Sequence, residues 1–508
     1  MNRRTFLTGA AGAIRASGQP TARPNILHIM TDQQQWATVG GRSECRTPNL
    51  DRLARSGMSF ERSHCPTAPC CPVRAMILSG AYQWHNGVYN QVHSAPSVKR
   101  DMDPDVVLYS QRLREAGYHL GYVGKWHASY LRLPADFGFH EVADLSYIPE
   151  SLRSKVDDNP DRVARSKETL KNVVTRSASW PGNERPSPMF SYRVGPEEAT
   201  HEYYRADVAI RMLRRFVQKS QAWLLEVHFD GSTTLKKYLD RYDSRAIPVP
   251  KSFYDTFRGK PGLYRREAES RGPMTEEDYR QGRAHYYAGW EHVDAQIGRI
   301  LAELDTSGQS EHTMVVFTSD HGRMVGAHRM WEHSMPYEEV ARVPLIIRWP
   351  GVIKPGSTTP RLVQTHSLAH TYVAAAGARR LPYQDGVDLR PLFERPDRSD
   401  WPEEVLGAWY GGEYLYTHRT CLTERFKYMF NGFDFDEMYD LEADPEELHN
   451  LVDEPRYRAH VDDMRARLYS LMAKFEDPYG DVKARNSAGE PPNQWGAPRY
   501  LPRGKRIG

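Results

Sequence analysis

Residues 25–30 read Asn25-Ile26-Leu27-His28-Ile29-Met30, and the pair Asp32-Gln33 follows one residue later. This apolar run, bounded by turn residues, predicts a strand buried on both faces, as in a parallel sheet. The acid and amide then fall at its C-terminal end, where open α/β sheets place their ligands. Working outward, a helix is predicted from Thr47-Pro48, with Pro48 suited to a first turn, and a strand over 58–61. A helix over 106–116 leads to a strand over 119–123, closed by Gly124-Lys125-Trp126-His127. Further strands are predicted over 222–229, 313–318 and 344–348, with a long helix over 276–304. Strands alternating with helices imply an α/β fold: a large, mostly parallel central sheet with helices on both faces.

Residues 131–200 are polar and show no clear period, so loops and short helices are expected there. Near Arg395-Pro396-Asp397 the pattern changes to short aromatic strands (405–410 and 426–430) and a polar helix over 454–475. A smaller C-terminal α+β domain is therefore expected over 396–508, with its tail after Asp477 extended over the surface. The remainder divides into an N-terminal segment, 1–23, and a main domain, 24–395.

The chain has 508 residues and a net charge of only +3, with no dominating basic run, which argues against a nucleic-acid binder. Five cysteines over this length make no disulfide framework. Cys65, Cys70 and Cys71 are clustered, but no second Cys/His pair follows to complete a zinc site. No apolar run is long enough to span a bilayer. Asn2-Arg3-Arg4-Thr5-Phe6-Leu7, followed by a short apolar stretch to Ile14, resembles a twin-arginine export signal and implies a periplasmic or secreted protein. Nothing in the sequence sets an oligomeric state.

The chemistry concentrates in Cys70-Cys71-Pro72-Val73-Arg74-Ala75-Met76-Ile77-Leu78-Ser79-Gly80. Pro72 suits the first turn of a helix, Ala75 to Leu78 continue it, and Gly80 stops it. Cys70 then stands just before a helix N-terminus, where free N–H groups and the dipole favour an anion. Arg74, one turn on, offers a planar fork of donors.

This stretch resembles the Cys-x-Pro-x-Arg signature of the sulfatase family, although Val73 departs from the small residue usual there. Further motifs stand in family order: the opening strand with its acid, Gly124-Lys125-Trp126-His127, Thr318-Ser319-Asp320-His321-Gly322, and Tyr337-Glu338-Glu339-Val340-Ala341-Arg342-Val343-Pro344-Leu345. Met438-Tyr439-Asp440-Leu441, Asp444-Pro445 and Asn450-Leu451 complete the series.

The resemblance implies an alkaline phosphatase-like fold and hydrolysis of a sulfate ester on a small molecule or glycan. It implies that a formylglycine-generating enzyme oxidises Cys70 to formylglycine, whose hydrate attacks sulfur. It also implies a divalent metal, usually calcium, with magnesium or manganese as alternatives, held by Asp32, Gln33, Asp320 and His321. Arg74 and Lys125 would face the sulfate, and His127 would take the proton from the second hydroxyl.

Two positions depart from the family. Thr233 stands where a His belongs, and His333 stands where a Lys belongs. His333 is then the expected proton donor to the leaving oxygen, favouring mildly acidic conditions, because a free imidazole titrates at about 6.5. Lys236 and Lys237 are alternative cations or solvated loop lysines. Two other readings stay open: a formylglycine-dependent phosphonate monoester or phosphodiester hydrolase, and a sulfated-glycan-binding homologue with impaired catalysis.

Overall fold

The computed structural model describes residues 23–94, 97–153, 170–180, 183–270, 272–333, 335–411, 416–432 and 434–480. The segment read as an export signal and nearly all of the tail expected to be extended lie outside these residues.

The strands in chain order begin with β1 (Asn25–Thr31), β2 (Met58–His64), β3 (His119–Lys125) and β4 (Glu141–Ser146). A separate antiparallel ribbon follows, β5 (Lys171–Trp180) and β6 (Asn183–Val194). Then come β7 (Trp223–His228), β8 (Thr313–Ser319), β9 (Leu345–Arg348) and β10 (Ser357–Gln364). The last four are β11 (Glu404–Trp409), β12 (His418–Thr423), β13 (Phe426–Asn431) and β14 (Glu437–Asp440). The main sheet has eight strands in the order β10-β2-β9-β8-β1-β7-β3-β4. β1 runs parallel to both β7 and β8, while β9 alone is antiparallel to its neighbours β8 and β2.

Alternation along the central strands feeds two cores. Ile26, Leu224 and Met314 point to one face, against α2 (Cys70–Ser79), α3 (Tyr109–Glu115) and α6 (Ser367–Ala375). Leu27, Leu225 and Val315 point to the other, against α1 (Pro48–Ser56), α4 (His201–Phe216) and α5 (Glu276–Thr306). Helices thus cover both faces, as the apolar central strands require. The mostly parallel α/β sheet with an added C-terminal unit, expected from the sequence, is the observed fold.

β11 to β14 form a second, antiparallel sheet, against which α7 (Arg458–Lys474) packs. All ten residues of α2 are buried. Cys71, Ala75 and Leu78 face the main core, whereas Met76 joins the core of the second sheet with Met438 and Leu468. Glu338, from the Tyr-Glu-Glu motif, lies 3.0 Å from His64 Nε2 on β2 and 3.2 Å from Lys427 Nζ on β13. That motif therefore joins the two sheets through the Glu338 carboxylate.

The segment 131–200 differs from expectation. It supplies β4 as a parallel edge strand, the β5–β6 ribbon, and the start of the path into α4. The ribbon carries no apolar alternation: Phe190 is buried against Trp331, but Val174 and Val194 are exposed. Its sequence therefore reads as loop. The helix expected from Val106 begins at Tyr109, because Leu108 N–H is held by the Gln111 side chain at 2.9 Å.

Candidate active site

Thr31 and Ser319 are register partners, so β1 and β8 end level with each other. Asp32 and Asp320 therefore emerge side by side, and β3 ends nearby with Lys125. Gly124, with φ +103°, lets β3 press on β7 there: a Cβ at this position would fall 2.0 Å from His228 O. α2 starts over the same rim, with Pro69 as its N-cap and Cys70 as its first residue. At its other end Gly80 takes the left-handed conformation, φ +68°.

Cys70 Sγ lies 3.0 Å from His321 Nε2, 3.7 Å from Asp32 Oδ1 and 3.8 Å from His333 Nε2. His127 also faces Cys70 and helps stabilise its thiolate. Lys125 Nζ donates to Asp32 Oδ2 at 2.7 Å. Arg74 Nε donates to Asp320 Oδ2 at 2.8 Å, and its Nη1 donates to Lys125 O at 3.1 Å. Arg74 Nη2 is buried and has no partner. Buried donors are nearly always satisfied, so this one marks room for an acceptor. His127 sits in the left-handed region, φ +50°, a strain typical of functional sites, and its Nδ1 is also unpartnered. The structure thus brings together Asp32, Cys70, Arg74, Lys125, His127, Asp320, His321 and His333.

Burial sets the electrostatics, and charge partners decide the signs. Burial would raise the Cys70 thiol, yet Lys125, His321 and the bonds from His127 and His321 hold it well below the usual range. Burial and the neighbouring Asp320 push Asp32 up to about 7, against the pull of Lys125. Burial also acts to raise Asp320, but His321, Arg74 and Lys125 outweigh it and bring it to about 2. Burial and Lys125 lower His127 to about 3, which leaves it a neutral imidazole.

The donor set fits a divalent metal. Ligand atoms of Asp32, Cys70, Asp320 and His321 all lie within 4.8 Å of one another. His321 Nδ1 lies 2.8 Å from Gly322 O and donates to it, so Nε2 faces the cluster; Asp320 and Cys70 outweigh burial and raise this imidazole, and a metal bound at Nε2 would take the place of its second proton. Two adjacent buried carboxylates, one pushed up to about 7, are a charge arrangement that a cation relieves. Gln33 approaches through its backbone: its N–H donates to Asp320 Oδ1 at 3.2 Å, and its carbonyl accepts from Tyr286 OH at 2.6 Å.

Other expected residues lie apart from these contacts. Thr233 N–H donates to Glu202 at 2.6 Å and its carbonyl meets His292 Nδ1 at 3.0 Å, which ties it to two helices. Lys236 and Lys237 are half exposed and paired with Asp240 and Glu197; they are solvated lysines, though on a short helix, Lys236–Leu239, rather than a loop. Two features escaped the sequence reading. Tyr147, φ +56° and 46% exposed, overhangs the site; Lys125 Nζ is 4.5 Å from its ring centroid and the His127 ring centroid is 4.5 Å away. Glu226 and His228, behind Arg74, are buried in β7. The signal for these two was a pair of ionisable residues at i and i+2 in an otherwise apolar strand.

The family model described as Sulfatase matches residues 24–378, and the one described as N-sulphoglucosamine sulphohydrolase, C-terminal, matches residues 326–474. The chain is 26% identical to an N-acetylglucosamine-6-O-sulfatase of Bacteroides thetaiotaomicron, over 92% of this chain and 89% of that protein. A structure solved in complex with its substrate D-glucosamine-2-N,6-O-disulfate superposes with a TM-score of 0.71 at 22% identity, covering 90% of this chain and 98% of that one. A phosphonate monoester hydrolase of Agrobacterium radiobacter superposes with a TM-score of 0.72 at 23% identity, covering 89% and 96%.

Proposed function

The chain belongs to the sulfatase family, and from that membership we propose that it hydrolyses the sulfate ester of a small molecule or glycan at the cluster around Cys70. One observation carries the reading: the Cys70 side chain, Arg74 and Lys125 converge on two buried carboxylates at one rim of the sheet, with Arg74 Nη2 unpartnered. Oxidation of Cys70 to formylglycine supplies an aldehyde whose hydrate is the hydroxyl nucleophile toward sulfur. A divalent metal, for which we favour calcium on its hard carboxylate donors, supplies Lewis-acid stabilisation of a sulfate oxygen. Asp32, Asp320 and His321 would hold it, with Gln33 adjoining.

The chain's own side chains do the rest. Arg74 and Lys125 place fixed positive charge where the sulfate oxygens gain charge. His127, uncharged near neutrality, accepts a proton through its imidazole. His333 hands a proton to the departing alcohol. The twin-arginine stretch at Arg3-Arg4 motivates an exported protein, which fractionation of the expressing cell tests.

Two measurements test the reading. Mass spectrometry of the Cys70 peptide should show that the side chain has lost sulfur and two hydrogens and gained one oxygen. Turnover of an aryl sulfate should exceed that of an aryl phosphonate monoester. Gln33, an amide where many sulfatases carry a second acid, favours the phosphonate reading instead, and the reverse preference would establish it.

The pH profile reports on His333. Burial lowers this imidazole, but its contacts with Cys70 and Glu332 outweigh burial and push it up to about 10. The mildly acidic preference expected from a free imidazole therefore gives way. A general acid is lost as pH rises through its pKa. Conversion of Cys70 removes the thiolate and leaves Glu332. The falling limb of kcat is thus expected above the free value of about 6.5 and below about 10. A His333→Gln variant with an unchanged alkaline limb would exclude His333 as the acid.

Tyr147 bears on the alcohol. Its exposed ring beside Lys125 and His127 suits stacking on a sugar ring. Tyr147→Ala is expected to raise KM for a pyranose sulfate about tenfold, the scale of one aromatic contact, with kcat little changed. Equal KM values in the two proteins would remove the platform role.

A further inference from the structure

We propose that Glu226 and His228 form a buried dyad that orients Arg74. The two residues lie away from the reacting atoms, yet they would set how the guanidinium meets the anion. The inference rests on the reading of Arg74 as an anion-binding group.

The proton positions follow from one fixed donor. A guanidinium has only N–H groups, so where Arg74 Nη1 meets His228 Nδ1 at 3.2 Å, the imidazole nitrogen accepts. The remaining ring proton is then on Nε2, which lies 2.6 Å from Glu226 Oε2 and donates to it. Glu226 is held in turn by the Tyr109 hydroxyl on its other oxygen. His28 Nδ1 lies 2.8 Å from Oε2, without hydrogen-bond alignment. The Tyr122 hydroxyl sits 2.7 Å from His228 Nδ1 and 2.6 Å from Lys125 O, closing the ring of contacts around Arg74 Nη1. Burial lowers His228 to about 4 despite Glu226, so a neutral imidazole agrees with the geometry.

The sheet builds this row. Glu226 is the register partner of His28 on β1 and of Tyr122 on β3, and His228 is the partner of Gly124. Glu226 and His228 share one face of β7, the face against which α2 lies. The carboxylate fixes the tautomer of the imidazole, and the imidazole fixes Nη1 together with Lys125 O. Nε is fixed by Asp320, so the free Nη2 is left with one direction to point. A metal at His28, Glu226 and His228, whose ligand atoms lie within 4.8 Å of one another, is disfavoured, since both nitrogens of His228 are already engaged.

Two substitutions separate orientation from packing. In His228→Asn the amide oxygen can occupy the place of Nδ1 and accept from Arg74. In His228→Gln the longer side chain reaches the place of Nε2 and leaves Nη1 with Lys125 O as its one remaining acceptor. We expect Gln to lower kcat about 30-fold, less than the roughly 10² to 10³ for outright loss of one aligned donor, and to weaken binding of inorganic sulfate, measured by calorimetry. Asn should stay within about fivefold of the parent on both measures.

Glu226→Gln is the second variant, and it hardly changes the shape of the core. Its amide can donate to Nε2, which moves the ring proton to Nδ1, opposite Arg74. Its kcat and sulfate affinity should fall together even where its melting temperature holds. Equal losses in Asn and Gln, or a Gln variant with parental kcat and sulfate affinity but lower melting temperature, would overturn the dyad's role. Failure of the sulfatase reading would show separately, as a parent protein that binds sulfate but turns over no sulfate ester.

Discussion

Replacing Cys70 with alanine is expected to lower turnover of any sulfate ester by about four orders of magnitude or more, the scale for removing a nucleophile, with the fold intact. Both halves follow from the surroundings of the residue. The side chain lies within 4 Å of Asp32, His321 and His333, so nothing else in the cluster replaces its chemistry. Its removal costs little, because alanine suits the first turn of α2 and only one heavy atom is lost. Cys70→Ser should be nearly as inactive, since a serine sulfate would need water to attack a crowded sulfur. Steady-state assays beside thermal melts check this. Turnover by Cys70→Ala within tenfold of the parent would move the nucleophile elsewhere.

Arg74 should show the second large effect, and here rate and stability fall together. Loss of its aligned donors is expected to lower kcat by about 10² to 10³. Arg74→Lys should lose nearly as much, since an ammonium cannot hold Asp320 and present a second donor from the same plane. Arg74→Ala carries an added penalty. Asp320 is fully buried, and its pairing with Arg74 Nε at 2.8 Å offsets part of the cost of its charge. Stripping a buried ion of its partner costs about 3–5 kcal/mol. The double variant Arg74→Ala/Asp320→Asn should regain much of that stability in denaturant melts while staying inactive. A single Arg74→Ala variant as stable as the parent would mean that the bond to Asp320 contributes nothing net.

The legible and illegible parts of the chain differ in physical kind. β1, β7 and β8 read correctly because a strand covered on both faces must be apolar almost throughout. α2 read correctly because Pro72 and Gly80 mark its ends by backbone geometry, and Gly80 takes the left-handed conformation it was expected to take. The residues brought to the rim were legible because they follow directly on strands that end side by side. Other features are set by tertiary contacts. Nothing in Leu345–Arg348 states that β9 runs against its neighbours. β4 and the β5–β6 ribbon lack the apolar alternation that announces a strand. Tyr147 gains its meaning only from the turn that hangs it over Lys125. Glu226 and His228 take their roles from contacts with His28 on β1, Tyr122 on β3, Arg74 on α2 and Tyr109 on α3.

Every residue of α2 is buried, with Cys70 at its first position. If Cys70 is converted as proposed above, an oxidising enzyme would have to reach it before the second sheet closes over the helix. Maturation would then precede collapse of the chain, and the fraction of Cys70 converted in a preparation would report which of the two finished sooner.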